Sequence, residues 1–144
     1  MAGRERVLKA LSYKKVDRVP VDLGGTVTSG AHVSVIANLR QALGLDKPGE
    51  PMKVVETSQM LGEVKADLRE ALGIDVVNLP RPKSSFGFDN ADWKPWRTFD
   101  GTNVLVPGKF NTEPEPNGDI LQYPEGDKTA PASARMPKGG FYFD

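Results

Sequence analysis

The stretch Gly3-Arg-Glu-Arg-Val-Leu-Lys-Ala-Leu11, followed after a short basic link by Asp17-Arg-Val-Pro-Val-Asp22-Leu-Gly-Gly25, decides how this chain is read. Val7, Leu8 and Leu11 recur at helical spacing, which predicts a short amphipathic helix over Arg4 to Tyr13 that Asp17 and Pro20 help to end. Val19-Pro-Val-Asp-Leu23 then reads as a strand. It runs into Gly24-Gly25, where the missing side chains permit a sharp turn or the close approach of a ligand. Helix, strand and glycine-rich connection open an α/β arrangement, with Val19 to Leu23 as the first candidate barrel strand.

Working outward, His32 to Leu43 carries Val33, Ile36, Leu39 or Arg40, and Leu43 along one stripe, which predicts a helix capped by Ser29 and closed by Gly44. A longer helical region is expected from about Val54 to Leu72, with Leu61, Val64, Leu68, Ala71 and Leu72 on one face and Gly73 as its stop. Ala42-Leu-Gly-Leu-Asp46 and Ala71-Leu-Gly-Ile-Asp75 echo each other. That echo is either an internal repeat or two helix stops of the same kind, in which glycine takes the left-handed position and the next apolar residue folds back. Ile74 to Leu79 is a continuous apolar run, as a parallel strand covered on both faces requires, and is the second candidate barrel strand.

Beyond Pro80 the texture changes to closely spaced Pro and Gly with aromatic pairs. Phe99-Asp-Gly-Thr102 and Pro116-Asn-Gly-Asp119 supply hairpin turns between the strand-like runs Trp96 to Phe99, Val104 to Val106 and Ile120 to Tyr123. Trp93, Trp96, Phe99, Phe110, Tyr123 and Phe141-Tyr-Phe143 are the material to bury one face of such a sheet. A base-stacking platform is the rival reading of these aromatics, but it needs a basic stripe that is missing.

The chain has 144 residues. That is enough for one modest core and well short of the ~250 of a complete TIM barrel. Hydrophobic residues make up 38% and charged residues 26%, which implies a folded but thinly cored object. Lys+Arg and Asp+Glu are balanced at 19 each, so no net field draws the protein to nucleic acid or to an anionic membrane. The absence of cysteine rules out a disulfide framework, a thiolate nucleophile and Cys-ligated metal within these residues. Met1 to Arg6 does not read as a secretory signal and no apolar run approaches membrane-spanning length, so the cytoplasm is the expected compartment.

The pair of segments quoted first resembles the N-terminal signature of the superfamily of uroporphyrinogen decarboxylases and methylcobamide:thiol methyltransferases. Tyr123-Pro-Glu-Gly-Asp127 through Arg135-Met-Pro-Lys-Gly-Gly-Phe-Tyr-Phe-Asp144 resembles a hairpin insertion in a methyltransferase-like branch of it. The resemblance implies a partial TIM barrel over residues 1–82, made of N-terminal helices and first strands, with a β-hairpin-rich insertion over residues 83–144. It also implies that the rest of the barrel lies elsewhere. A complementing barrel half or self-association is then the expected partner, because an open fragment leaves strand edges and half a core uncovered.

Decarboxylases of that superfamily follow the first strand with an arginine-bearing loop whose guanidinium groups hold the acidic side chains of a tetrapyrrole. The corresponding Leu23-Gly-Gly-Thr-Val-Thr-Ser-Gly30 has no arginine, so the resemblance favours corrinoid-dependent methyl transfer. For a complete enzyme it implies zinc and a corrinoid protein, with no cofactor held within this chain.

The candidate substrate-binding residues are Asp22, Gly24, Gly25, Thr26, His32 and Arg81. The first four, with Thr28, Ser29 and Gly30, form a strand-to-helix connection that could bind a carboxylate or phosphate at a helix N-terminus or serve as a plain capped turn. His32 could act as acid, base or ligand, or be structural, and Arg81 could meet an anion or sit in a solvated loop. Glu113, Glu115 and Asp119 read as a solvated hairpin tip. The expected function is thus the N-terminal segment of a uroporphyrinogen-decarboxylase-like enzyme, not competent alone. The rival is a non-catalytic accessory subunit that docks a partner through an open sheet edge and aromatic hairpins.

Overall fold

In the computed structural model, which describes residues 1–144, the first helix α1 spans Gly3–Leu11, close to its expected range. It belongs to a unit made of Met1–Ala31 and Val64–Leu79; a second unit comprises His32–Glu63 and Pro80–Asp144. The whole is mixed α/β with open sheets and no closed barrel.

In the first unit the two candidate barrel strands are not strands. Val19–Leu23 and Ile74–Leu79 are joined by one backbone hydrogen bond, from Asp75 N–H to Val21 O at 2.9 Å, and neither enters a ladder. The cause is local. Pro20 has no N–H, and the N–H of Val21 donates to the Asp75 carboxylate at 2.9 Å, so the donors a ladder would use are missing or engaged. Val19, Val21, Val77 and Leu79 are exposed. The last helix, α3, covers only Ala66–Leu72.

The second unit is built on α2, Val33–Ala42, and a four-stranded sheet. Its strands are β1 (Met52–Glu56), β2 (Leu61–Gly62), β3 (Lys94–Arg97) and β4 (Asn103–Val106), in the order β2-β1-β4-β3. The hairpin of β3 and β4 forms across the Asp100-Gly101 turn, with Trp96 opposite Val104. β4 also pairs in parallel with β1, Met52 opposite Val104, which local sequence gave no means to foresee. The expected helix from Val54 is therefore corrected. Met52, Val54 and Glu56 face inward while Lys53 and Val55 are half-buried, the alternation of a half-covered strand, and β-branched Val54-Val55 suits it. Two further strands, β5 (Ile120–Gln122) and β6 (Ala134–Met136), form a separate antiparallel pair.

Helix α2 lies on the sheet where the chain has no side chain. A Cβ on Gly62 would stand 2.9 Å from Ile36 Cβ and 3.0 Å from Val33 Cα, so only glycine lets the helix approach this closely. Val33, Ile36, Met52, Val54, Val104, Val106 and Phe110 are each almost completely buried and belong to the core of this unit. Of the aromatics expected in the core, Phe110 packs on Trp96 and Phe143 at centroid distances of 5.5 and 5.7 Å, whereas Phe99, Phe141 and Tyr142 are exposed.

The echoed segments prove to be helix stops. Gly44 and Gly73 adopt φ of 69° and 62°. In each case the next residue donates back into the last turn, Leu45 to Arg40 O and Ile74 to Arg69 O, both at 2.9 Å.

Candidate functional site

Three places hold the residues that could carry chemistry. The first is the loop after Leu23. Asp22 Oδ1 accepts the Gly25 N–H and the Ser29 hydroxyl, each at 2.9 Å, and Ser29 Oγ accepts the Thr26 N–H at 3.1 Å. The loop is thereby self-satisfied, and Val27–Ser29 is one turn of 3-10 helix. Ser29 does not cap α2, whose cap is His32. The glycines answer to packing: a Cβ on Gly24 would lie 2.6 Å from Val64 Cγ2, and one on Gly25 2.7 Å from Val76 Cγ2.

The second place is a network within the same unit that uses the charged residues of the opening stretch. Arg6 Nε and Nη2 donate to the two carboxylate oxygens of Asp17 at 2.7 and 2.8 Å, while Nη1 donates to Asp75. Arg18 meets Asp75 from the other side, Nη1 to Oδ2 at 2.7 Å. The guanidinium of Arg6 is buried and its fork engages two carboxylates, so its pKa is raised above the ordinary arginine value, chiefly by Asp17. Arg6 in turn holds Asp17 well below the usual carboxylate range. The Val21 N–H is the largest influence keeping Asp75 low, ahead of the two arginines. These groups order the segments they come from and leave no free charge pointed at a ligand. Asp75 was missed as a partner because 57 residues separate it from Arg18.

The third place is a cleft of about 610 Å³ in the second unit, lined among others by His32, Ser34, Asn38, Gln59, Asp100 and Tyr142. His32 caps α2: its Nδ1 accepts the Ser34 N–H at 3.2 Å and its Nε2 donates to Phe141 O at 2.9 Å, which defines the neutral Nε2–H tautomer. Both ring nitrogens are engaged, so in this geometry His32 fixes the wall of the cleft rather than offering a base. Asp100 sits on the turn between β3 and β4. Its Oδ1 accepts the Thr98 hydroxyl at 2.5 Å and the Thr102 N–H at 3.1 Å. Partial burial works against its charge, but the neighbouring Ser34 hydroxyl, Thr98 and Thr102 outweigh this and bring its carboxyl down to about 2. Ser34 is buried on α2 and is the first of the groups that lower Asp100.

Glu56, at the inward end of β1, shapes the neighbouring wall. Its Oε2 accepts the Gln59 N–H at 2.7 Å, and its Oε1 accepts the Ser58 N–H at 3.1 Å, the Ser58 hydroxyl at 3.0 Å and the Ser85 hydroxyl.

The sequence candidates thus fall apart. Asp22, Gly24, Gly25 and Thr26 share one loop of the first unit, while His32 and Arg81 are in the second. Arg81 is exposed, contributes its carbonyl to Asn90 Nδ2 at 2.9 Å, and does not line the cleft. Asp100, Ser34 and Gln59 went unnoticed in the sequence, since the Asp-Gly pair reads as a turn. No three His, Asp or Glu side chains converge in a group that could hold a metal ion. No helix is long and apolar enough to cross a membrane. The chain matches no protein-family model, no curated protein and no solved structure.

Proposed function

We propose that this chain is the N-terminal segment of a uroporphyrinogen-decarboxylase-like enzyme, of the corrinoid-dependent methyltransferase type, and that a complementing barrel half completes it. The observation that carries the reading is the state of the two expected barrel strands. Val19–Leu23 and Ile74–Leu79 are held side by side by the Arg6, Asp17, Arg18 and Asp75 network, yet Val19, Val21, Val77 and Leu79 stay exposed. Apolar side chains held in place without a covering layer suit a surface that another polypeptide or another copy covers. Tetrapyrrole decarboxylation is disfavoured because Leu23–Gly30 offers hydroxyls and no guanidinium. Zinc and corrinoid would be supplied by the complement.

The rival reading, an accessory subunit docking through its sheet edge, is weakened at β3. That edge strand carries Lys94, Pro95 and Arg97, the residues that blunt an edge against pairing.

The test is co-expression with a complementary barrel half, followed by light scattering and assays of thiol methylation from a methylcobamide and of tetrapyrrole decarboxylation. A heteromer that methylates a thiol, with neither part active alone, is expected. A chain that stays a monomer beside the complement, or a complex that decarboxylates a tetrapyrrole without zinc, overturns the proposal.

A further inference from the structure

The cleft in the second unit has a chemistry that the barrel reading does not use. Its one charged lining residue is Asp100, which makes no ion pair, and no lysine or arginine lines the space. Above it the α2 end offers no free anion-binding N–H groups: Val33 N–H donates to Met60 O, Ser34 N–H to His32 Nδ1, and the N–H groups of Val35 and Ile36 to His32 O. An anion entering here would meet a carboxylate and no cationic side chain. Ser34, more than nine-tenths buried, stands behind that carboxylate and helps to keep it charged. The side-chain amides of Asn38 and Gln59 and the exposed rings of Phe141 and Tyr142 complete a polar floor with an aromatic rim.

The rim is held in place. Phe141 O accepts from His32 Nε2, and Phe143 N–H donates to Ser58 O at 2.7 Å, so the C-terminal segment is fastened on both sides of Tyr142.

We propose that this cleft binds a small primary ammonium compound, whose N–H groups donate to Asp100 while its carbon body lies against Phe141 and Tyr142. The charge, the acceptor geometry and the aromatic face act together on such a group, the rings through the attraction of a cation for a π face. A free amine and a lysine side chain share this chemistry.

The experiment is an amide-resolved NMR titration of the full chain at constant ionic strength with ethanolammonium chloride and with Nα-acetyl-lysine methylamide. Sodium acetate and methyl glucoside serve as anionic and neutral controls. Saturable shifts at Ser34, Gln59, Asp100 and Tyr142 with at least one of the amines are expected, and the tighter of the two identifies the source. Asp100→Asn keeps an acceptor for Thr98 and Thr102 and should weaken binding about tenfold or more by removing the charge. Tyr142→Ala, at an exposed position, should weaken it by a smaller factor with the rest of the spectrum unchanged. No saturation with either amine, an equal response to methyl glucoside, or undiminished binding by Asp100→Asn overturns the proposal.

Discussion

Replacing Glu56 by Gln isolates the charge of a buried carboxylate without changing its shape. Oε1 accepts three hydrogen bonds and Oε2 one. The amide group of glutamine must therefore point its NH2 at a donor, and the least damaging choice faces the Gln59 N–H and keeps the other three. That loses one charge-assisted bond, worth about 1.5–3 kcal/mol, and weakens the remainder, while relieving some cost of burying a charge. A net loss of about 2–3 kcal/mol follows, or roughly 5–10 °C in Tm for a chain of this size. Burial opposes ionisation of Glu56, but Ser85, Gln59 and Ser58 outweigh it and the pKa is lowered from 4.5. A lowered native pKa means that the stabilisation is complete above 4.5 and disappears as pH falls through the native value. The gap between wild type and Glu56→Gln should be widest at neutral pH and should shrink toward pH 3. Trp93 and Trp96 both belong to the second unit, so urea unfolding followed by tryptophan fluorescence reads that unit directly. A gap of the same size at both pH values, or none at neutral pH, would refute the assignment of Glu56 as an ionised organiser of the turn.

Gly62→Ala should cost about 1–3 kcal/mol in the same assay by pushing α2 off the sheet, since the new methyl would meet Val33 Cα and Ile36 Cβ. His32→Ala, which loses the cap of α2 and the bond to Phe141 O, should cost about 1–2 kcal/mol. His32→Asn should recover about half of this, and hydrogen exchange at Ser34 tells the two apart. Asp75→Ala should remove exchange protection from its own amide and from Val21 while leaving Val104 and Val106 protected. Because Asp17 and Asp75 both have lowered pKa values, the first unit should keep its protection down through pH 4 and lose it only in stronger acid.

Helical spacing located α1, α2 and the end of α3, and turn chemistry located the Asp100-Gly101 hairpin, because those signals lie within a few residues of one another. Val54 to Leu72 misled because its apolar residues fit a helical face when Gly62 is ignored; the strand that forms there exists through a parallel partner about 50 residues later in the chain. Val19–Leu23 and Ile74–Leu79 have strand composition, but a strand is a pairing, and Pro20 and the Asp75 carboxylate remove the donors that pairing requires. The site was less legible than the fold. Gly24 and Gly25 read as a ligand loop or a plain turn, and they pack on Val64 and Val76; His32 read as an acid, base, ligand or structural residue, and it caps α2. Asp100 carried no signal because Ser34, which stands beside it in the cleft, lies on another element far away in the sequence.

A short charged motif can be distinctive in a sequence and chemically silent in the folded protein. Arg6, Asp17 and Arg18 are the most conspicuous residues of the opening stretch, yet each is matched by an opposite charge at hydrogen-bonding distance. Charges balanced in that way resist titration, which suits them to fixing backbone and unsuits them to proton transfer or to capturing a charged ligand. Asp100 is the converse case. It is ionised at physiological pH, supported by the Ser34 and Thr98 hydroxyls and the Thr102 N–H, and it lines an open cleft. Binding chemistry is therefore better sought at a carboxylate that faces an open cleft than among charges already matched to one another.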